Sequence, residues 1–172
     1  MQPKMLAHCA LFTALLCICS WLSVPIPNGA VSLQTFALFL TLGLLGGKYG
    51  SLVCLTYLLL GSVGIPVFTG FRGGIGILLG TTGGYLLGFL AACLVYWGIT
   101  AKCGEKCKPL SMISGLFVCY TLGTLWFSLV YTGGDRSIWL ILGTCVVPYL
   151  IPDGMKLVLA HVLAKKLKRI LK

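Results

Sequence analysis

The chain has 172 residues, 58% of them hydrophobic and only 9% charged, with a mean hydropathy of +1.02. A soluble domain carries about 25% charged residues, so that class is excluded and an integral membrane protein remains. The formal charge of +10 would suit a nucleic-acid partner, but the cations are parcelled out between apolar runs, which points to a bilayer instead.

A membrane helix needs about 20 apolar residues, so a chain of this length holds about six spans and no separate soluble domain. Breaking it at polar, Gly and Pro clusters predicts an all-α, six-helix membrane bundle in a single domain over 1–172, with helices at about 5–24, 33–47, 50–65, 77–100, 110–131 and 138–164. The first run, Met5 to Val24, is longer than a signal-peptide core of about 7–15 residues and has no small-x-small site before Pro25, so it reads as a span. Within it, Ala10 and Ala14 form a small-xxx-small pair, with Ala7 nearby.

Three connections, "VPIPNGAVSLQT", "GIPVFTGFRGG" and "YTGGDRS", are rich in Gly, Pro and small polar residues. Such backbone is tolerated at membrane depth when it is buried in protein or lines a cavity, so a pocket under these connections is expected. Gln34 in the first and Arg72 in the second are candidate ligand contacts.

The fourth segment, "GILLGTTGGYLLGFLAA", repeats Gly76, Gly80, Gly84 and Gly88 at intervals of four, followed by Ala92. On one helix these make a stripe without side chains, suited to close helix packing and to forming the floor beneath a flat ligand. Thr81, Thr82 and Tyr85 add hydroxyls, and the adjacent Gly83 and Gly84 each cost about 1 kcal/mol of helix propensity, so something other than helix stability selects them.

Of nine cysteines, seven lie in apolar spans as packing residues, and Cys103 with Cys107 forms an isolated C-x-x-x-C too sparse for zinc. Neither a metal nor a cofactor is expected. The Walker pattern fails, with Leu42 and Tyr49 where Gly and Ser or Thr are needed, and "GGIGILLG" misses the dinucleotide fingerprint. His8 and His161 have no carboxylate or cysteine cluster beside both, so no enzyme constellation stands out.

The last segment holds "VVPYLIPDGMKLVLA", with Asp153 and Lys156 three residues apart and Tyr149 one turn earlier on the same face. Charges in a span cost about 2.5–3.5 kcal/mol each, so such residues face the bundle interior and mark a binding site or pathway, or else pair to fix helix packing. Pro148 and Pro152 should free backbone carbonyls beside the pair.

The connections alternate in charge: Lys4, Lys48, Lys102, Lys106, Lys108, Lys165, Lys166, Lys168, Arg169 and Lys172 fall on one side, Arg72 and Arg136 on the other. The positive-inside rule then predicts cytoplasmic termini, with the tail "KKLKRILK" as an anchor that also meets anionic lipid.

The order "VPIP…SLQTFA", "YLLLGSVGIPVFTG", "GGIGILLGTTGGYLLGF" and "PDGMK", from about residue 23 to 156, resembles the BioY family, the biotin-binding components of energy-coupling factor (ECF) transporters. The resemblance implies a cell-membrane subunit that captures biotin from outside as the transported ligand. Asp153, Lys156 and the block Thr82, Gly83, Gly84 and Tyr85 then fall at the ligand. It also implies docking of the first helix, through Ala10 and Ala14, on a membrane coupling subunit energised by two ATPases. Two departures from the family pattern are Thr81, where Pro is common, and the bulky Arg72. Other readings are a binding component for thiamine or riboflavin, and a membrane scaffold.

Overall fold

The computed structural model describes residues 3–26, 29–130 and 138–170. The expected connection "YTGGDRS", with Asp135 and Arg136, lies outside the described residues. The chain runs through α1 (Pro3–Trp21), a hairpin of β1 (Ser23–Ile26) and β2 (Gly29–Ser32), α2 (Gln34–Ser62), α3 (Ile75–Leu79) and α4 (Gly83–Cys103). It continues through a 3-10 turn (Glu105–Cys107) into α5 (Lys108–Val130), α6 (Ile138–Cys145) and α7 (Val147–Ile170).

Five stretches, at α1, α2, α4, the 3-10 turn with α5, and α7, are long and apolar enough to cross a membrane. This is a multi-pass membrane protein, and its surface agrees. Leu11, Leu55, Leu59, Phe117, Leu159 and other large apolar side chains are exposed, as a bundle requires when its solvent is lipid.

The expected segments 33–47 and 50–65 are merged into α2, which ends at Ser62 and breaks at Gly46 with φ 80 and ψ 174. That φ is open to glycine and strained for other residues. The break is a reversal: a Cβ on Gly50 would lie 3.5 Å from the Leu42 Cα, and the Gln34 side chain reaches Tyr57. Both pairs straddle Gly46, so the two arms run antiparallel. This folded α2 is the centre of the bundle, packed against α1, α4 and α7, and it supplies the buried Leu38, Phe39, Leu42, Val53 and Tyr57.

Two expected helices are broken. The segment 77–100 divides into α3 and α4, with Gly80 extended between them (φ −81, ψ −170), so Gly76 and Gly80 do not share a helix with Gly84 and Gly88. The segment 138–164 bends at the buried Val146. That bend places Pro148 in the first turn of α7, where its missing N–H is tolerated, and leaves Pro152 as the proline inside the helix.

The half of the glycine stripe that stays helical is filled by protein. A Cβ on Gly84 would collide with the Trp126 side chain, one on Gly83 with the Leu78 carbonyl, and one on Gly88 would meet the Cys119 carbonyl at 3.0 Å. These glycines bring α5 and α3 against α4, as small-residue contacts do in membranes. They do not form an open floor.

Candidate functional site

At the hairpin end of the bundle the connections fold back on the helices. β1 and β2 pair antiparallel, Ser23 opposite Ser32 and Ile26 opposite Gly29. The connection after α2 buries Val67 and Phe68, and Phe68 meets the Tyr57 ring edge-on at 5.5 Å. Trp21 at the end of α1 stacks on Phe71 at 4.9 Å and donates to the Pro66 carbonyl at 2.9 Å. Ser20 donates to the Val67 carbonyl.

Beneath this cover lie Asp153 and Lys156, 5% and 9% exposed. The Lys156 ammonium donates to Asp153 Oδ1 at 2.8 Å and to the Ser32 carbonyl of β2 at 2.7 Å. Thr35, in the first turn of α2, donates to Asp153 Oδ1 at 3.1 Å, and Tyr120 of α5 donates to Oδ2 at 2.7 Å. The carboxylate therefore accepts three hydrogen bonds from three elements. Such a network is what lets a buried ion pair meet its desolvation cost, estimated at several kcal/mol per ion. Of the about four lone-pair positions of a carboxylate, three are engaged.

Gln34 is buried and belongs to the adjoining network. Its side-chain amide donates to the Tyr57 hydroxyl at 2.5 Å, its carbonyl accepts from Ser32 at 3.1 Å and Thr69 at 3.3 Å, and Tyr57 donates on to the Val67 carbonyl at 3.2 Å. Through these bonds β2, α2 and the second connection are one hydrogen-bonded unit. Tyr149 lies near the backbone of Ala30 in β2.

Tyr85 packs its ring where a Cβ on Gly123 would be, and its hydroxyl lies among Thr124, Cys145 and Tyr149. The Tyr85 and Thr124 hydroxyls are side by side, yet neither has a partner at hydrogen-bond distance among the described residues. Burying a hydroxyl unpaired costs about 1–3 kcal/mol, so these two groups suit a ligand.

The remaining candidates lie apart from this constellation. Thr82 is exposed at the start of α4, its carbonyl accepting from the Tyr85 and Leu86 amides at 3.1 and 3.2 Å. Arg72 is exposed, its backbone paired with Phe68. Ala10 and Ala14 lie exposed on α1, beside the face that buries Thr13, Leu16 and Cys17. Sequence reasoning missed Thr35, Tyr120 and the Ser32 carbonyl. Only the adjacency of Thr35 to Gln34 could have pointed to one of them.

Comparison with known proteins adds the following. The BioY family's sequence profile matches residues 1–172. Two relatives are the Biotin transporter BioY of Thermotoga maritima, 38% identical over 97% of both chains, and the Probable biotin transporter BioY of Pyrococcus horikoshii, 37% identical over 98% of both. Among solved structures, the S-component for biotin from an ECF-type ABC transporter superposes with a TM-score of 0.83 at 26% identity, covering 96% of this chain and 91% of that one.

Proposed function

The chain belongs to the BioY family, and from that premise we infer that it is the S component for biotin of an ECF-type transporter. It takes up biotin and is not an enzyme. The observation that carries the site assignment is the buried Asp153–Lys156 pair, held by Thr35, Tyr120 and the Ser32 carbonyl under the folded-back connections.

The chemistry of biotin matches these groups. Its ureido N–H groups suit the Asp153 carboxylate, its ureido oxygen or valerate carboxylate suits the Lys156 ammonium, and its apolar ring suits the Tyr85 face. Ligand polar groups enter by exchange, replacing the contacts that Lys156 and Asp153 make within the chain. The buried Tyr85 and Thr124 hydroxyls, with no hydrogen-bond partner among the described residues, offer further bonds to the ligand. Gln34 holds β2 in place, Tyr149 braces it from α7, and Gly83 and Gly84 shape the pocket wall indirectly by setting how close α3 and α5 lie. Thr82 and Arg72 belong to the pocket rim.

In the cell membrane the chain forms six spans, with the two arms of α2 counted separately and both termini cytoplasmic. The exposed Ala10 and Ala14 are the docking stripe for a membrane coupling subunit, which two ATPases drive. The exposed Cys103 tests the orientation: a membrane-impermeant maleimide should label it only after permeabilisation, and labelling of intact cells would invert the topology.

Calorimetric titration of the detergent-solubilised protein with biotin, thiamine and riboflavin tests the ligand. One-to-one binding of biotin alone is expected. Saturable binding of thiamine or riboflavin instead, or no heat from folded, ligand-stripped protein, would overturn the assignment, the latter in favour of a scaffold.

A further inference from the structure

The opposite end of the bundle carries a second polar feature with no part in holding biotin. A cavity of about 460 Å³ opens between the reversal of α2, the start of α5 and the end of α7. Lys106, Lys108, Lys165, Lys168 and Arg169 line it, with Glu105 as the one lining carboxylate. From Lys156 to Lys168 along α7 is about 18 Å at 1.5 Å per residue, so this cavity and the ion pair are separate places.

Its electrostatics are unbalanced. Glu105 accepts from both Lys108 and Lys168, the latter at 3.2 Å, so one carboxylate is shared between two ammonium groups. Lys106, Lys165 and Arg169 have no carboxylate partner among the described residues. The Lys108 side chain is only 13% exposed and opens α5, a 23-residue helix whose positive pole adds to the same field. Five cations around one cleft repel one another, and they repel most where water is partly excluded. A bound anion relieves that repulsion, and its charge is met by ammonium and guanidinium donors of the kind phosphate groups take.

The surroundings say where the phosphate comes from. One turn from the lining residues, Ile113 follows Pro109 by four, and Val158 and Val162 precede His161 and Lys165 by three. All three are exposed apolar side chains, aligned below the cavity by helical periodicity. A diester headgroup seated among the cations would have its acyl chains running along this stripe. A free phosphate would have no use for it. We propose that the cavity at the cationic end of the bundle is a specific site for the phosphate of an anionic phospholipid headgroup.

Native mass spectrometry of the purified full chain, with phosphatidylglycerol, phosphatidylcholine or inorganic phosphate added, tests this without biotin and so independently of the transport reading. Phosphatidylglycerol should bind saturably and about tenfold or more tighter than phosphatidylcholine. Lys106→Gln with Arg169→Gln should weaken it at least about fivefold, while Lys4→Gln with Lys102→Gln, which removes the same charge from exposed positions outside the cavity, should change it less than about twofold. The single Lys106→Gln, at an exposed position, gives the same direction should the double variant fold poorly. Equal weakening by the two pairs would overturn the site in favour of diffuse surface attraction. Displacement of the lipid by millimolar inorganic phosphate would overturn the lipid assignment in favour of a free anion.

Discussion

Two acid–lysine pairs in this chain share one spacing and differ in everything else. Asp153 and Lys156 are three residues apart, as are Glu105 and Lys108. The first pair has side-chain exposures of 8% and 11%; in the second, Glu105 is 77% exposed while Lys108 is at 13%. Sequence spacing alone cannot tell them apart. What separates them is who else is present: Thr35, Tyr120 and a strand carbonyl converge on one pair, and one competing lysine, Lys168, on the other. A buried pair with an oriented network holds its charges in one fixed geometry. A wet pair in a cationic cluster is an ionic cross-link with interchangeable members.

Exchanging the partners within each pair should break the first and spare the second. Asp153→Lys with Lys156→Asp keeps the net charge yet turns a carboxylate toward the Ser32 carbonyl, so biotin binding should vanish from calorimetry. Glu105→Lys with Lys108→Glu should leave biotin affinity within about twofold, because it places an acid at the start of α5, where the helix dipole favours one.

Single substitutions come next in size. Asp153→Asn and Lys156→Ala should each weaken biotin binding at least about tenfold, with Lys156→Ala also lowering stability by about 3–5 kcal/mol by stranding a buried carboxylate. Unchanged affinity in both would make the pair purely structural.

Tyr120→Phe and Thr35→Val remove one donor each from the carboxylate. At about 1.5–3 kcal/mol for a hydrogen bond to a charged group, each should weaken biotin by about tenfold, read in the same titration. No effect would mean that the carboxylate is oriented by Lys156 alone. Smallest of all, Glu105→Gln should shift thermal stability by no more than about 1 kcal/mol, and a larger loss would show that the wet pair is less exchangeable than its exposure implies.

Much of the dry site was legible because burying charge in an apolar run is costly enough to be conspicuous. Asp153, Lys156 and Tyr149 stand out on one helical face for that reason, and the Gly- and Pro-rich connections announce themselves by composition. Periodicity reports which face a residue occupies, however, and not what stands opposite. Thr35 and Tyr120 reach Asp153 from 118 and 33 residues away, in helices whose other hydroxyls mostly bond their own backbone, as Thr41 and Thr121 do. The glycine spacing misled for a related reason: a four-residue repeat looks the same whether or not the chain straightens at Gly80, and it does straighten there. The break expected between 47 and 50 falls instead at Gly46, and the reversal of the chain there depends on a φ that no pattern displays.

The reversal at Gly46 also fixes a depth. Gly46 and Lys48 border a cleft shared with Glu105 and Lys108, at the cationic end. From there the first arm climbs back over residues 45 to 34, a rise of about 18 Å, against a hydrocarbon core about 30 Å thick. Set in a core of that thickness with the cationic end at one surface, the arm would end, with Thr35 and the carboxylate it holds, about 12 Å short of the other. That end of the bundle is taken by the β1–β2 hairpin, whose backbone is satisfied in part by cross-strand pairing and in part by the helices, as where Lys156 donates to the Ser32 carbonyl. The shortness of one helical arm is thus what leaves room for a strand pair to act as a stopper at that end of the bundle.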